Sequence, residues 1–164
     1  MFQLTVSTPY SQPIFGVASD QAGGTFLTVT ASGLPIMSSD FDADGLSDIL
    51  FQNNSGQALV WEMQGTAVAA ASSVGPNPGP NWRVKATGDV SGDGHADIVW
   101  QNVDGDALVW ATNGFGVIAS ADLGDPGQDW HVRATGDFNH DGRSDILWQD
   151  AEGEVVIWAM NGGV

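Results

Sequence analysis

An acidic motif of nine residues occurs three times in the chain, at residues 40–48 (loop 1), 89–97 (loop 2) and 137–145 (loop 3). Each copy has oxygen-bearing side chains at motif positions 1, 3, 5 and 9 and glycine at position 6. Side chains on alternate residues of a tight loop can converge on one hard cation, and glycine permits the sharp turn that this requires. The motif therefore predicts three loops that each bind a divalent cation.

Calcium is the cation that this donor set favours. It accepts about six to eight oxygens in flexible geometry, whereas magnesium prefers a rigid octahedral site with retained water. A backbone carbonyl at position 7 is expected to complete each set, and the predicted cofactor is Ca2+, one ion for each of the three loops. The predicted ligands are Asp40, Asp42, Asp44, the Leu46 carbonyl and Asp48 in loop 1; Asp89, Ser91, Asp93, the His95 carbonyl and Asp97 in loop 2; and Asp137, Asn139, Asp141, the Arg143 carbonyl and Asp145 in loop 3.

Two other interpretations of the motif are weaker. An EF-hand requires a bidentate glutamate at position 12, but Phe51, Trp100 and Trp148 stand there, within apolar runs that are typical of β-strands. A metal-free acidic turn is the second alternative, because Asp and Gly are common turn residues. Three copies in register favour the metal loop over a chance turn.

The spacing of the motif predicts stacked units, because its first aspartates lie 49 and then 48 residues apart. A fixed period of about 40–50 residues is typical of propeller blades and solenoids. Within the second unit, short alternating segments predict four antiparallel strands around loop 2, at residues 82–87, 97–101, 106–112 and 117–121. The predicted fold is all-β and propeller-like, with about three four-stranded blades.

The sequence is interpreted as one domain over residues 1–164. It divides into N-terminal strands (1–33) and three repeats, at residues 34–80, 81–128 and 129–164. The N-terminal part predicts strands at residues 2–6, 15–18 and 25–30. Because the third repeat ends after its third strand, we expect the strand at residues 2–6 to complete that blade and remove an exposed edge.

The charge balance limits the partners of the chain. It has 20 acidic against 4 basic residues, and its net charge is −16, so nucleic acid and anionic membrane surfaces are excluded as partners. No apolar run is long enough to span a membrane, and the N-terminus lacks the features of a signal peptide. Low-affinity calcium loops suit millimolar calcium, so we expect an extracellular or cell-surface protein.

Catalysis is not expected. The chain has no cysteine and no Gly-x-Ser-x-Gly elbow, and two of its three histidines lie within the acidic loops. The conspicuous carboxylates are assigned to cations, and a repeated pattern does not fit a single asymmetric active site. A non-enzymatic binding protein is therefore predicted.

The seven tryptophans have two interpretations. They are either core residues that fill the space between stacked sheets or planar surfaces on which a sugar ring packs. The recurring glutamines Gln52, Gln101 and Gln149 either bond sugar hydroxyls or bond backbone at strand ends. The tryptophans predicted to bind a ligand are Trp61, Trp110, Trp158, Trp82 and Trp130.

These residues resemble the FG-GAP/VCBS repeat family, whose motif runs Gly-Asp-Phe-Asn-x-Asp-Gly-x-x-Asp-Ile-Leu-Trp. Residues 136–148 follow it almost letter for letter, and residues 88–100 differ at Val90 and Ser91. The first copy departs more, with Ser39 before the motif and Phe51 in place of tryptophan. The resemblance covers about residues 34–164.

The resemblance implies calcium-loaded blades like those of integrin α-subunit propellers and of bacterial secreted adhesins and lectins. Such propellers often have about seven blades, more than this chain encodes. Either three blades close into an unusually small ring or several chains complete a larger one, and the second arrangement, a homo-oligomer, is expected. The predicted function is multivalent carbohydrate or glycoprotein binding by a lectin. A protein–protein adhesion module of the integrin type and a structural repeat of a larger secreted protein remain the alternatives.

Overall fold

The computed structural model describes residues 14–19, 25–30 and 39–162. The chain divides into two compact units, residues 1–35 and residues 36–164. In the described residues every regular element is a β-strand, which confirms the predicted all-β class. The expectation that the whole chain forms one domain stays a prediction.

The first unit contains a β-hairpin. Strands β1 (Ile14–Ser19) and β2 (Thr25–Thr30) pair antiparallel, and Ile14 lies opposite Thr30. Both strands were predicted from alternating, β-branched segments. The third predicted strand, at residues 2–6, lies outside the described residues, and so does its expected pairing with the third repeat.

The second unit contains three antiparallel sheets, one for each repeat. In each sheet, strands that follow one another in sequence are neighbours, as in a meander. The first sheet comprises β3 (Ile49–Gln52), β4 (Ala58–Gln64) and β5 (Ala67–Val74). The second comprises β6 (Trp82–Gly88), β7 (Asp97–Asn102), β8 (Ala107–Asn113) and β9 (Gly116–Gly124). The third comprises β10 (His131–Gly136), β11 (Asp145–Gln149) and β12 (Val155–Trp158).

The predicted four strands are all present in the second repeat. The third repeat has three strands, as its early end predicted. The first repeat also has three strands within the described residues, which begin at Ser39 in this repeat. The residue pairs of the three sheets correspond: Ile49 lies opposite Trp61, Ile98 opposite Trp110 and Ile146 opposite Trp158.

The hydrophobic core lies between the sheets. One buried cluster joins the first and second sheets, and a second cluster joins the second and third sheets. The second sheet is consequently covered on both faces, and five of the six residues of β7 are buried. Trp100 and Trp148 are fully buried, and burying a side chain of this size contributes on the order of 2–3 kcal/mol.

One glutamine side chain bonds each sheet to the next, Gln52 at the first junction and Gln101 at the second. Gln52 Nε2 donates to the Trp82 carbonyl (2.7 Å), and the Val84 N–H donates to Gln52 Oε1 (3.2 Å). Gln101 makes the same pair of bonds to the Trp130 carbonyl (2.7 Å) and the Val132 N–H (3.3 Å). Of the two interpretations offered by the sequence, these two glutamines follow the second, since they bond backbone at strand ends.

Candidate functional site

The three acidic loops occupy equivalent places in the fold. Loop 2 connects β6 to β7, loop 3 connects β10 to β11, and loop 1 leads into β3. Consecutive loops are joined by backbone hydrogen bonds. The Ala96 N–H donates to the Asp40 carbonyl (2.7 Å), and the Ser144 N–H donates to the Asp89 carbonyl (2.6 Å). Position 8 of one loop therefore bonds position 1 of the loop before it, and the three loops form a ladder.

Each loop turns through two residues with left-handed backbone. Glycine at position 6 is one of them, as the sequence predicted, with φ between 86° and 92°. Position 4 is the other, and it is occupied by Ala43 (φ 60°), Gly92 (φ 80°) and His140 (φ 63°). A left-handed conformation costs a non-glycine residue roughly 1–2 kcal/mol. The left-handed residue at position 4 was not predicted from the sequence, although glycine at this position in loop 2 was a signal.

The carboxylate at position 1 lies inside its own loop. Asp89 accepts hydrogen bonds from the N–H groups of Gly92 (2.6 Å), Asp93 (3.0 Å) and Gly94 (2.9 Å). Asp40 and Asp137 each accept from the N–H groups of positions 5 and 6 of their loops, at 2.9–3.1 Å. These bonds hold the loop around the oxygens that the sequence assigned to a cation.

The aspartate at position 9 fastens the loop to its sheet, a role that the sequence analysis missed. One oxygen of Asp97 accepts from the Ser91 N–H (2.7 Å), and the other accepts from the Thr112 N–H at the end of β8 (3.0 Å). Asp48 and Asp145 accept from the N–H groups at the position of Thr112, those of Met63 (2.8 Å) and Met160 (2.9 Å). Their donor within the loop is the N–H of position 2, Phe41 or Phe138, and not that of position 3 as in loop 2. All three position-9 aspartates are buried.

Three carboxylates of loop 1 come close enough to share one ion. One oxygen from each of Asp40, Asp42 and Asp48 lies within 4.8 Å of the other two. Asp44 turns one oxygen to the Leu46 N–H (2.7 Å) and is exposed. The structure therefore brings together positions 1, 3 and 9, and it places position 5 at the solvent side.

Loops 2 and 3 repeat this arrangement with fewer carboxylates. The aspartate at position 5 again accepts a hydrogen bond from the N–H of position 7. His95 donates to Asp93 and Arg143 donates to Asp141, at 2.9 Å in both loops. Position 3 is Ser91 or Asn139. The Ser91 Oγ is buried beside the Asp97 carboxylate, whose pKa the Ser91 hydroxyl lowers. Two buried oxygens at predicted ligand positions fit a bound cation.

The electrostatics of loops 1 and 2 also fit a cation. Burial raises the pKa of Asp42, and the charges of Asp44, Asp48 and Asp40 raise it further, against the Asp44 N–H. Burial raises the pKa of Asp97 to about 6, opposed by the N–H groups of Ser91 and Thr112. A raised carboxyl pKa means that its ionised form is disfavoured. A divalent cation in the loops would compensate for this.

Glu62 is a carboxylate near loop 1 that the sequence analysis did not assign. Burial raises its pKa, and the charges of Asp42, Asp48 and Asp44 contribute to the rise. The equivalent residues beside the tryptophan of the other repeats are Ala111 and Ala159. Loop 1 therefore has one more acidic neighbour than loops 2 and 3, a difference that a comparison of the three repeats would have indicated.

The predicted ligand-binding tryptophans differ in exposure. Trp61 is exposed beside Phe51, whereas Trp82, Trp130 and Trp158 are half-buried. Trp110 is buried against Trp100, with ring centroids 4.8 Å apart. Because its ring belongs to the core between the first and second sheets, Trp110 does not present a face on which a ligand could stack.

A cavity of about 280 Å³ opens beside the third sheet. Trp148 and Trp158 contribute to its wall, with ring centroids 4.8 Å apart. The indole Nε1 of Trp148 has no hydrogen-bond partner among the described residues. The residues that line the cavity are Pro126, Trp130, Trp148, Val156 and Trp158.

Comparison with known proteins identifies one family whose sequence pattern matches the chain. The FG-GAP-like repeat family matches residues 40–100 and residues 89–148. Each match begins at the first aspartate of an acidic loop and ends at the tryptophan in the strand after the next loop, so it spans one full period. No curated protein and no solved structure matches the chain significantly. In the part of the chain that the structure describes, no helix could cross a membrane.

Proposed function

The chain belongs to the FG-GAP-like repeat family, and from this we propose that it is a calcium-binding, propeller-like lectin that binds carbohydrate without catalysis. The sheets stack face to face, as blades do, and each contributes one acidic loop to the ladder. The observation that carries the choice of ligand is the cavity walled by Trp130, Trp148 and Trp158.

The predicted Ca2+ ions have a structural role in this proposal. A bound ion neutralises the carboxylates of its loop and holds the loop in one conformation. Asp40, Asp42 and Asp48 would hold it in loop 1, where their oxygens are already close together. The position-9 aspartate is bonded to the sheet, so an ordered loop also orders the sheet. An extracellular or cell-surface location fits this function, because calcium is abundant there.

Removal of calcium tests this role. We expect the purified chain to melt at a lower temperature in excess chelator than in millimolar calcium, because its clustered carboxylates then repel one another without compensation. Circular dichroism measures the melting temperature, and magnesium in place of calcium is the control. Equal melting temperatures with and without calcium would refute the structural role.

The cavity suits the apolar face of a sugar ring. Pyranose C–H groups pack on aromatic planes, and Trp130 and Trp158 are half-buried, so part of each ring remains accessible. The buried ring of Trp148 also lines the cavity. A mostly apolar site with few polar groups is typical of small-ligand sites.

A glycan array in calcium tests carbohydrate binding. Val156→Arg places a long side chain at an exposed position in the cavity wall, so we expect it to abolish sugar binding and leave the fold intact. Val68→Arg, at an exposed position on β5, is the matched control and should bind like the wild type. Trp158→Ala is a second variant that removes the stacking surface.

The second candidate function is protein–protein adhesion of the integrin type, which membership in the family supports directly. A structural repeat of a larger secreted protein is a further alternative. A folded, calcium-loaded chain that binds no sugar on the array would favour adhesion over the lectin. The chelator experiment is independent of that result, because it measures stability and not ligand binding.

A further inference from the structure

Both contacts between consecutive repeats are formed by the same two kinds of face. We define the leading face as the side that packs on the preceding repeat; in the second repeat it contains Ile98, Trp100 and Trp110. The trailing face is the opposite side, which packs on the following repeat. In the second repeat it contains Val90, Val99, Ala107 and Val109. A leading face therefore packs on a trailing face twice within the chain.

The trailing face of the third repeat is uncovered. Phe138, Val155 and Ile157 are between 46% and 57% exposed. The residues at the same positions of the second repeat, Val90, Ala107 and Val109, are fully buried. The equivalent residues of the first repeat, Phe41, Ala58 and Val60, are also fully buried, because they pack against the second repeat. The third repeat thus has a trailing face of the usual apolar composition, on which none of the three described sheets of the second unit packs.

The leading face of the first repeat is uncovered as well. Ile49, Phe51 and Trp61 are about 40% exposed. Their counterparts in the second repeat are Ile98, Trp100 and Trp110, which are all buried. The two uncovered faces are of opposite kinds, one leading and one trailing. They are the two kinds of face that pack together inside the chain.

A polar group on the uncovered trailing face also lacks its usual partner. Gln149 stands at the position of Gln52 and Gln101, which bond the backbone of the next repeat. Its side chain has no hydrogen bond among the described residues.

We infer that the trailing face of the third repeat docks on the leading face of the first repeat in a second copy of this chain. This contact would continue the stacking that already occurs twice between consecutive repeats. It is heterologous, since two different surfaces meet, so copies associate head to tail and either close into a ring or extend. It covers apolar side chains on both copies, which is the favourable term.

Analytical ultracentrifugation of the full chain in calcium tests this contact. We expect the wild type to sediment as an oligomer at micromolar concentration. Val155→Glu on the trailing face and Phe51→Glu on the leading face should each weaken association roughly 100-fold, because an unpaired carboxylate is unfavourable in an apolar interface. Val103→Glu is the matched control, because it adds the same charge at an exposed site in the turn between β7 and β8.

Mixing the two face variants distinguishes head-to-tail contact from other arrangements. Val155→Glu keeps an intact leading face, and Phe51→Glu keeps an intact trailing face. Each should be monomeric alone, and an equal mixture should form a one-to-one dimer that grows no further. Ile49→Glu serves as the second leading-face variant if Phe51→Glu unfolds, which circular dichroism reports.

Two results would overturn the inference. A monomeric wild type at high concentration in calcium would mean that no second copy covers these faces. Persistent dimers of either single-face variant would mean that like faces pair, or that the contact lies elsewhere.

Discussion

The first and second repeats both have an isoleucine, a tryptophan and a second aromatic ring at equivalent positions, but they differ in what covers these residues. Trp61 and Trp110 both stand opposite an isoleucine, and each lies 4.8 Å from the aromatic ring of the neighbouring strand. Trp110 is nevertheless buried and Trp61 exposed. The local geometry is therefore the same, and burial is decided by whether another sheet packs on that face.

The loops show the same contrast between an inner and an end repeat. Loop 2 is bonded on both sides, to loop 1 through Ala96 and to loop 3 through Asp89. At position 4 it has Gly92, where an added Cβ would lie 2.5 Å from the Arg143 guanidinium of loop 3. Loop 3 has His140 at this position, with its side chain in solvent. The close Arg143 side chain thus favours glycine in loop 2, whereas position 4 of loop 3 is open to solvent and accommodates histidine.

The largest expected effect is a difference in stability loss between two equivalent aromatic residues, Trp100 in the core and Phe51 on the uncovered leading face. Trp100→Ala should destabilise the chain by about 3–5 kcal/mol, because it leaves a large cavity in a fully buried site. Phe51→Ala removes a partly exposed ring and should cost roughly 1–2 kcal/mol. Urea unfolding in calcium, at concentrations too low for association, measures both. Equal losses would mean that the first repeat is covered in solution.

The second expected effect contrasts two glutamines. Gln101→Ala removes a side chain that bonds the Trp130 carbonyl and the N–H of Val132, a buried residue. We expect a loss of about 2–3 kcal/mol, since unpaired buried polar groups keep their desolvation cost. Gln149→Ala removes the equivalent side chain, which makes no hydrogen bond among the described residues, so its effect should stay within about 0.5 kcal/mol. The free energy of unfolding in urea measures this difference.

The glutamine comparison fails if both variants lose the same stability. A large effect of Gln149→Ala that depends on protein concentration would indicate instead that a second copy supplies its partner. The conservative variant Gln101→Glu is a further control, because it keeps an acceptor for the Val132 N–H but removes the donor to the Trp130 carbonyl.

The features that the sequence predicted correctly are local. The acidic loops, the left-handed glycine at position 6 and the strands of the second repeat all depend on spacings of a few residues. Alternation of apolar residues and turn residues such as Asn113 and Gly114 is enough to place β8 and β9. A period of 48 to 49 residues then predicts that the units stack.

The features that the sequence did not predict depend on neighbours that are distant in the chain. The Thr112 N–H donates to Asp97, which is 15 residues away in the sequence. The Gln101 side chain donates to the Trp130 carbonyl, which is 29 residues away. Spacing alone cannot distinguish an aspartate that holds an ion from one that also fastens a strand. Nor can composition distinguish Trp110 from Trp61, because only the stacking order does so.

The smallest expected effect concerns the acidic neighbour that only the first repeat has. Glu62→Gln should weaken calcium binding to loop 1 about two- to five-fold, because it removes one negative charge near the ion. The effect is small because solvent and salt partly screen this attraction. Ala159→Glu introduces the equivalent carboxylate in the third repeat and should strengthen binding to loop 3 by a similar factor. Competition with a fluorescent calcium chelator measures both changes.

Salt separates this charge effect from a structural one. Both changes should shrink as ionic strength rises, since screening weakens the attraction between a carboxylate that solvent can reach and the ion. Glu154→Gln, at an exposed position before β12, is the control for net charge and should leave binding to loop 1 unchanged. If Glu62→Gln acts equally at low and high salt, the side chain supports the loop through packing. If Ala159→Glu has no effect, the difference between the first and third loops lies in position 3, where Asp42 and Asn139 stand.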